Sequence, residues 1–126
     1  MQGKGEMKYE DGSHYKGNFR EGKRSGHGVM TYTNGCLYEG VFEEDKRQGK
    51  GKLTMKNGNW YEGNFMNDLK NGQGKYHWND GKEYEGTFAN GQISGWGKLT
   101  LPNGRSFEGR WKGGPMHGVV KIEQGE

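Results

Sequence analysis

The stretch GKGKLTMKNGNWYEGNF, residues 49–65, begins with glycines and a lysine in the manner of a phosphate-binding loop. Such a loop needs one glycine cluster between a strand and a helix, so that its backbone N–H groups converge on one anion. This cluster is not alone. The same pattern stands earlier as GHGVMTYTNGCLYEGVF (26–42), later as GQGKYHWNDGKEYEGTF (72–88), and again as GWGKLTLPNGRSFEGRW (95–111), always at the same interval. Gly51-Lys52 is followed by Leu53 where a Walker loop needs Ser or Thr, and Lys46 stands where its first glycine belongs. The motif is therefore an architectural period.

Four glycine columns mark that period: Gly3 to Gly118, Gly5 to Gly97, Gly12 to Gly104 and Gly17 to Gly109, each recurring at that one constant spacing. Aromatic columns run beside them. One is Tyr15, Tyr38, Tyr61, Tyr84 and Phe107; a second is Phe19, Phe42, Phe65, Phe88 and Trp111; a looser third is Tyr9, Tyr32, Met55, Trp78 and Leu101.

Inside a unit the spacing is two, as in Met30 and Tyr32, then Tyr38, Gly40 and Phe42, which places these residues on one face of extended strands. Asn34-Gly35, Asn57-Gly58, Asp80-Gly81 and Asn103-Gly104 lie between the two strands of a unit, a strong hairpin signal. A two-residue loop would throw Tyr38 onto the face opposite Tyr32. A three-residue loop, Thr33-Asn34-Gly35 with Gly35 left-handed, keeps the aromatics together and pairs Met30 with Tyr38 and Gly28 with Gly40. It also sets Lys52 against Glu62, Lys75 against Glu85, Lys98 against Glu108 and Glu6 against Lys16, with Val29 and Glu39 the exception. The other odd register opposes Lys8 to Lys16 and is disfavoured.

Composition agrees with an ordered repeat array. Eleven Val, Ile and Leu residues are too few for an ordinary two-layer core, whereas 26 Gly and 16 aromatics recur in register, unlike a disordered chain. The expected fold is all-β: an elongated single-layer antiparallel meander of five hairpin repeats, about ten strands, twisted or groove-forming.

With those residues in phase, the chain resembles the MORN-repeat family, whose units read roughly YEGxFxxGxxxGxGxxxxxxG. The resemblance runs from Gly3 to Gly118. It departs at Phe107 for Tyr, at Lys16 for Glu, at Asp45 and Asp68 in a turn column, and at Val120 where the last glycine pair would close. One domain over 1–126 is expected, with repeats at about 3–25, 26–48, 49–71, 72–94 and 95–117 and a partial cap at 118–126. The chain starts at the first glycine pair with no capping segment, so a fragment of a larger protein is an expectation too. MORN arrays in larger proteins accompany kinase, methyltransferase, exchange-factor or channel-associated domains.

No catalytic constellation or cofactor motif emerges. His14, His27, His77 and His117 fall at unrelated phases with a single Cys36, so no metal is expected, and Glu39, Glu62, Glu85 and Glu108 read as cross-strand partners of lysines. The net charge of +3 is too mild for a nucleic-acid partner. One cysteine, with no membrane span and no signal segment, points to the cytoplasm, including peripheral attachment to a membrane or cytoskeletal structure.

Function then depends on the apolar face, which either twists until it covers itself or stays open as a groove. The first expectation is a non-catalytic scaffold that binds a helix, an extended segment or a second copy of itself through Tyr15, Phe19, Tyr38, Phe42, Tyr61, Phe65, Trp78, Tyr84, Phe88, Phe107 and Trp111. The alternative, implied by the resemblance, is a peripheral module for acidic phospholipids or phosphoinositides. Its contacts would be Lys46, Arg47, Lys50, Lys52, Lys56, Arg105, Arg110 and Lys112, because residues 46–68 carry five bases against two acids and 92–114 four against one. Residues 23–45 are net negative.

Overall fold

The structure, a computed structural model, describes residues 3–113 and 120–122. Its strands are β1 (Gly3–Lys8), β2 (His14–Arg20), β3 (Lys23–Thr31), β4 (Leu37–Glu43), β5 (Lys46–Thr54), β6 (Trp60–Met66), β7 (Leu69–His77), β8 (Glu83–Ala89), β9 (Gln92–Thr100), β10 (Ser106–Gly113) and β11 (Val120–Ile122). They form one antiparallel sheet in sequence order. Where about ten strands were expected, the partial last unit adds an eleventh. The expected meander is the observed fold.

Two turn types alternate along it. Within a unit, Tyr32 N–H donates to the Cys36 carbonyl at 2.9 Å and Gly35 N–H donates to the Tyr32 carbonyl at 3.1 Å, with Gly35 at φ 93°. This is the three-residue loop with a left-handed glycine, and Asn34 Oδ1 accepts from Cys36 N–H at 3.0 Å to brace it. The registers that follow, Met30 with Tyr38, Lys52 with Glu62, Lys75 with Glu85 and Lys98 with Glu108, are the expected ones. Between units the loop has two residues, both left-handed, such as Glu44 (φ 50°) and Asp45 (φ 69°) or Asn67 (φ 50°) and Asp68 (φ 73°). That is a type I′ turn, whose twist matches the flanking strands.

Beside each of these turns lies a bulge that alternation does not betray. Gly17 pairs with Gly28 but Phe19 pairs with Arg24, so Ser25, Gly26 and His27 stand opposite Asn18 alone. Two extra residues leave the inside–outside alternation intact. Gly26 at φ 75°, like Gly49, Gly72 and Gly95, takes the left-handed conformation there.

The aromatic columns close the sheet's apolar face. Tyr15, Tyr38, Tyr61 and Tyr84 have no exposed surface, and Phe19, Phe42, Phe65, Phe88, Trp78 and Trp111 are buried around them. Each tyrosine ring meets one phenylalanine of its own strand edge-on and one ring of the next unit. Tyr38, for example, lies 5.0 Å from Phe42 and 5.2 Å from Phe65 between centroids. Its hydroxyl donates to the Val41 carbonyl at 2.8 Å, and the ring lies across the Gly40–Gly51 pair, where a side chain on Gly51 would collide with it. The paired glycines thus provide the seat for the ring. No helix supplies a second layer among the described residues, and none there is long and apolar enough to cross a membrane.

Candidate functional site

The other face carries a trough. Its floor is glycine backbone at the pairs that seat the tyrosines from behind. One hollow of about 800 Å³ is lined by Gly5, Gly17, Gly28 and Gly40 with Lys16, Asn18, His27 and Glu39. It adjoins at Glu39 and Gly40 a second of about 540 Å³ over Gly51, Gly63 and Gly74. The second adjoins at Gln73 and Glu85 a third of about 370 Å³, walled by Trp96 and Glu108. Together they run across the sheet from β1 to β10.

The two walls differ in chemistry. Strand register aligns Glu39, Lys52, Glu62, Lys75, Glu85, Lys98 and Glu108 in one row of alternating sign. Alternation makes each interior charge of the row the neighbour of two opposite ones, so the row of four glutamates and three lysines is nearly neutral. Lys75 does not close on Glu85 as its register suggests. Its ammonium lies 3.6 Å from Glu83 Oε1, and Glu83 Oε2 also meets His77 Nδ1 at 2.9 Å. Lys52 lies over Trp60, 4.7 Å from the ring centroid, and Trp60 stacks on His77 at 5.2 Å. The second wall is amide-rich: Asn18 Nδ2 donates to the His27 carbonyl at 3.2 Å, and Gln73 Nε2 to Thr87 Oγ1 at 3.0 Å. Trp96 extends this wall and is 66% exposed, so a large aromatic surface faces the third hollow without cover.

The aromatic residues of the first expectation lie elsewhere. All but the half-buried Phe107 are in the core, their faces occupied by one another, so the self-covering alternative describes this face. Burial pushes the Tyr38 and Tyr61 hydroxyls up to about 12, and raises Tyr15 and Tyr84 as well.

The basic residues of the alternative are dispersed rather than gathered. Lys50, Lys52 and Arg110 stand on the trough side, Lys46 is at the two-residue-turn end, and Lys56 and Arg105 are at the opposite, three-residue-turn end. Lys112 has no described side chain. Arg47 is not a surface cation: its Nε donates to Asp68 Oδ1 at 3.3 Å, Nη2 donates to the Asp68 carbonyl at 2.7 Å, and its guanidinium rests 5.3 Å from the Phe65 ring centroid.

Arg24 and Asp45 repeat that clamp one unit earlier. Although burial pushes the Asp45 carboxyl up, the Arg24 backbone N–H and guanidinium hold it below its ordinary value. The column continues as Lys70 and Ile93, and Gly91 replaces the aspartate that Lys70 would meet. Burial, with Arg47 nearby, lowers the Lys70 pKa. The equal spacing of Arg24 to Asp45 and of Arg47 to Asp68 is the available sequence signal for these clamps, hidden because the two aspartates stand out only as unusual turn residues.

Family comparison supplies the remaining fact. Models of the MORN repeat match residues 1–14, 15–37, 38–60, 61–83, 84–104 and 107–119. The chain belongs to the MORN-repeat family. The four central matches, at 15–37, 38–60, 61–83 and 84–104, open on the tyrosine column, so each joins the second strand of one hairpin to the first strand of the next across the two-residue turn and bulge. MORN repeats are repeat modules, in keeping with a site that is a surface and not a catalytic cleft. No curated protein matches this MORN chain.

Proposed function

We propose that this MORN array is a non-catalytic scaffold module that holds a segment of another protein in the trough. The observation that carries the reading is the continuity of the hollow over β1 to β10, open while the aromatic face is closed. An extended or helical segment with both charge signs can complement the alternating row, hydrogen-bond to the amide wall and rest an apolar side chain against Trp96. A repeat array commonly presents such a long surface.

Acidic phospholipid is the weaker occupant. Headgroup binding draws on several cations presented together to a membrane plane. Here Lys52, Lys75 and Lys98 alternate with glutamates, Lys50 and Arg110 stand apart from each other on the opposite wall beside Asn64 and Trp96, and Lys46 lies at the other end of the strands from Lys56 and Arg105.

The experiment fills the trough with Gln73→Arg and Thr87→Arg, and compares it with Asn57→Arg and Asn103→Arg on the three-residue turns. Tagged protein is used to capture partners from cells, and the same proteins are sedimented with phosphatidylcholine vesicles with and without phosphatidylserine. Partner proteins lost from the trough variant and kept by the turn variant are the expected result. Undiminished capture by the filled trough, or phosphatidylserine-dependent sedimentation that trough filling leaves intact, overturns it.

A further inference from the structure

Lys70 follows Arg24 and Arg47 in one column, and the backbone around the three is the same. Asp45 N–H donates to the Arg24 carbonyl at 3.1 Å, Asp68 N–H to the Arg47 carbonyl at 3.0 Å, and Gly91 N–H to the Lys70 carbonyl at 2.9 Å. Each arginine also receives a carboxylate from that turn residue, whose Oδ1 accepts the arginine backbone N–H at 2.8 Å. Gly91 has no carboxylate to give. Lys23, Lys75 and Lys82 lie 2.9, 3.6 and 3.8 Å from a carboxylate oxygen, whereas Lys70 has no acidic partner among the described residues.

The surroundings of its amine are apolar or cationic instead. Lys70 Nζ lies 5.8 Å from the Tyr61 ring centroid and 5.9 Å from that of Tyr76. Burial keeps both hydroxyls protonated, so neither ring brings a negative charge. Arg47 of β5 acts on the same space, and Cys36, packed on the core just before β4, is the remaining titratable neighbour. Burial, and then the Arg47 charge, lower the Lys70 pKa and so raise the share of free amine, which is how a lysine becomes a nucleophile. The side chain still keeps part of its surface, so small reagents reach it.

We propose that Lys70 is an acylation site, at which a small activated acyl group such as acetyl is transferred to Nζ. The free amine attacks the acyl carbonyl carbon, an N–C bond forms, and the bond from that carbon to the sulfur of a thioester or the oxygen of an acyl phosphate breaks. The carrier leaves with the electron pair as thiolate or phosphate, and the proton shed by the nitrogen passes to water. The product selects this chemistry over other reactions of an amine. An amide is uncharged, so it ends both the burial of an ammonium and its repulsion by Arg47. An imine keeps a basic nitrogen there, and a carbamate sets an anion against two rings. Ile93, next in the column and buried, shows that an uncharged side chain suits the place.

The folded chain is incubated near neutral pH with acetyl phosphate in one arm and the acetyl thioester of N-acetylcysteamine in the other, and acylation of each lysine is timed by peptide mass spectrometry. Lys70 should react about threefold or more faster than the exposed Lys46 and Lys50 in at least one arm, which identifies the carrier, and the lead should vanish in denaturing urea. Gly91→Asp supplies the carboxylate at a place where Asp45 and Asp68 hold φ 69° and 73°, against 85° for Gly91. It should bring Lys70 down to the rate of Lys46 in a sheet that stays folded, as its thermal transition checks. A Lys70 no faster than Lys46 and Lys50 in both arms, or a lead that survives in urea or in the folded Gly91→Asp chain, overturns the proposal.

Discussion

Tyr61 and Gly74 share one space: the phenol ring lies where a Gly74 side chain would be, and its hydroxyl donates to the Asn64 carbonyl at 2.8 Å. Gly63 is equally closed, since an added Cβ would stand 2.5 Å from the Gly74 Cα. The two glycine columns are thus as much a part of the core as the rings.

Gly74→Ala is accordingly expected to cost about 1–3 kcal/mol, the usual range for overpacking, and Tyr61→Phe about 1 kcal/mol for the lost hydrogen bond. A double-mutant cycle of Gly74→Ala with Tyr61→Ala should be strongly non-additive, because removing the ring removes the collision. Chemical denaturation measures all of these. Additive losses would show that ring and glycine do not compete for that space.

Alkaline stability follows from the same tyrosines. Tyr38 and Tyr61 titrate near 12 in the folded chain, against about 10 when unfolded, so the folded state holds their protons more tightly. The sign is then fixed: their contribution is fully present below about pH 10 and is lost as pH rises through about 12. Phenolate absorbance should therefore rise together with loss of strand circular dichroism, and Tyr38→Phe should move the unfolding transition to higher pH relative to its own neutral stability.

Charge coupling on the trough wall is expected to follow side-chain direction and not register alone. Lys75 and Glu83, at 3.6 Å and part-exposed, should show a coupling of about 0.2–1 kcal/mol in a double-mutant cycle, screened by salt, with less between Lys75 and Glu85. Equal couplings would place the ammonium midway between the two carboxylates.

What the sequence made legible was whatever depends on local backbone geometry. The repeat period, the left-handed Gly35 and the parity of the strands fix the three-residue loop and with it the register of Lys52 and Glu62. The face that closes was not legible. Tyr38 reaches Phe65 of the next unit because the strands twist and bulge, and the bulge at Gly49 adds an even number of residues that leaves the alternation unbroken. Arg47 reads as surface charge since its partner, Asp68, sits in the next turn. The trough escapes a reading of the sequence because its floor is glycine backbone and its walls are ordinary polar side chains.

The column Arg24, Arg47, Lys70 and Ile93 yields a stability prediction. Burial lowers the Lys70 pKa, so the unfolded chain binds that proton more tightly; the protonated amine costs stability at neutral pH, and the cost fades as pH rises through its folded pKa. Lys70→Ile should stabilise the chain by on the order of 1 kcal/mol at neutral pH and by less near pH 10. Asp68→Gly should instead destabilise, by about 1–3 kcal/mol, because Arg47 keeps its half-buried place without its carboxylate. Thermal melts over pH would check both signs.

The central claim is that the aromatic face is closed and the glycine-floored face is open. Hydroxyl-radical footprinting of the native chain, read residue by residue by mass spectrometry, tests it directly. Trp96 and Met66, the last residue of β6, 66% and 50% exposed, should be oxidised rapidly, while Tyr38, Tyr61 and Tyr84, with no exposed surface, stay protected until the sheet unfolds. Oxidation of those tyrosines at rates comparable to Trp96 in the folded chain would contradict the account.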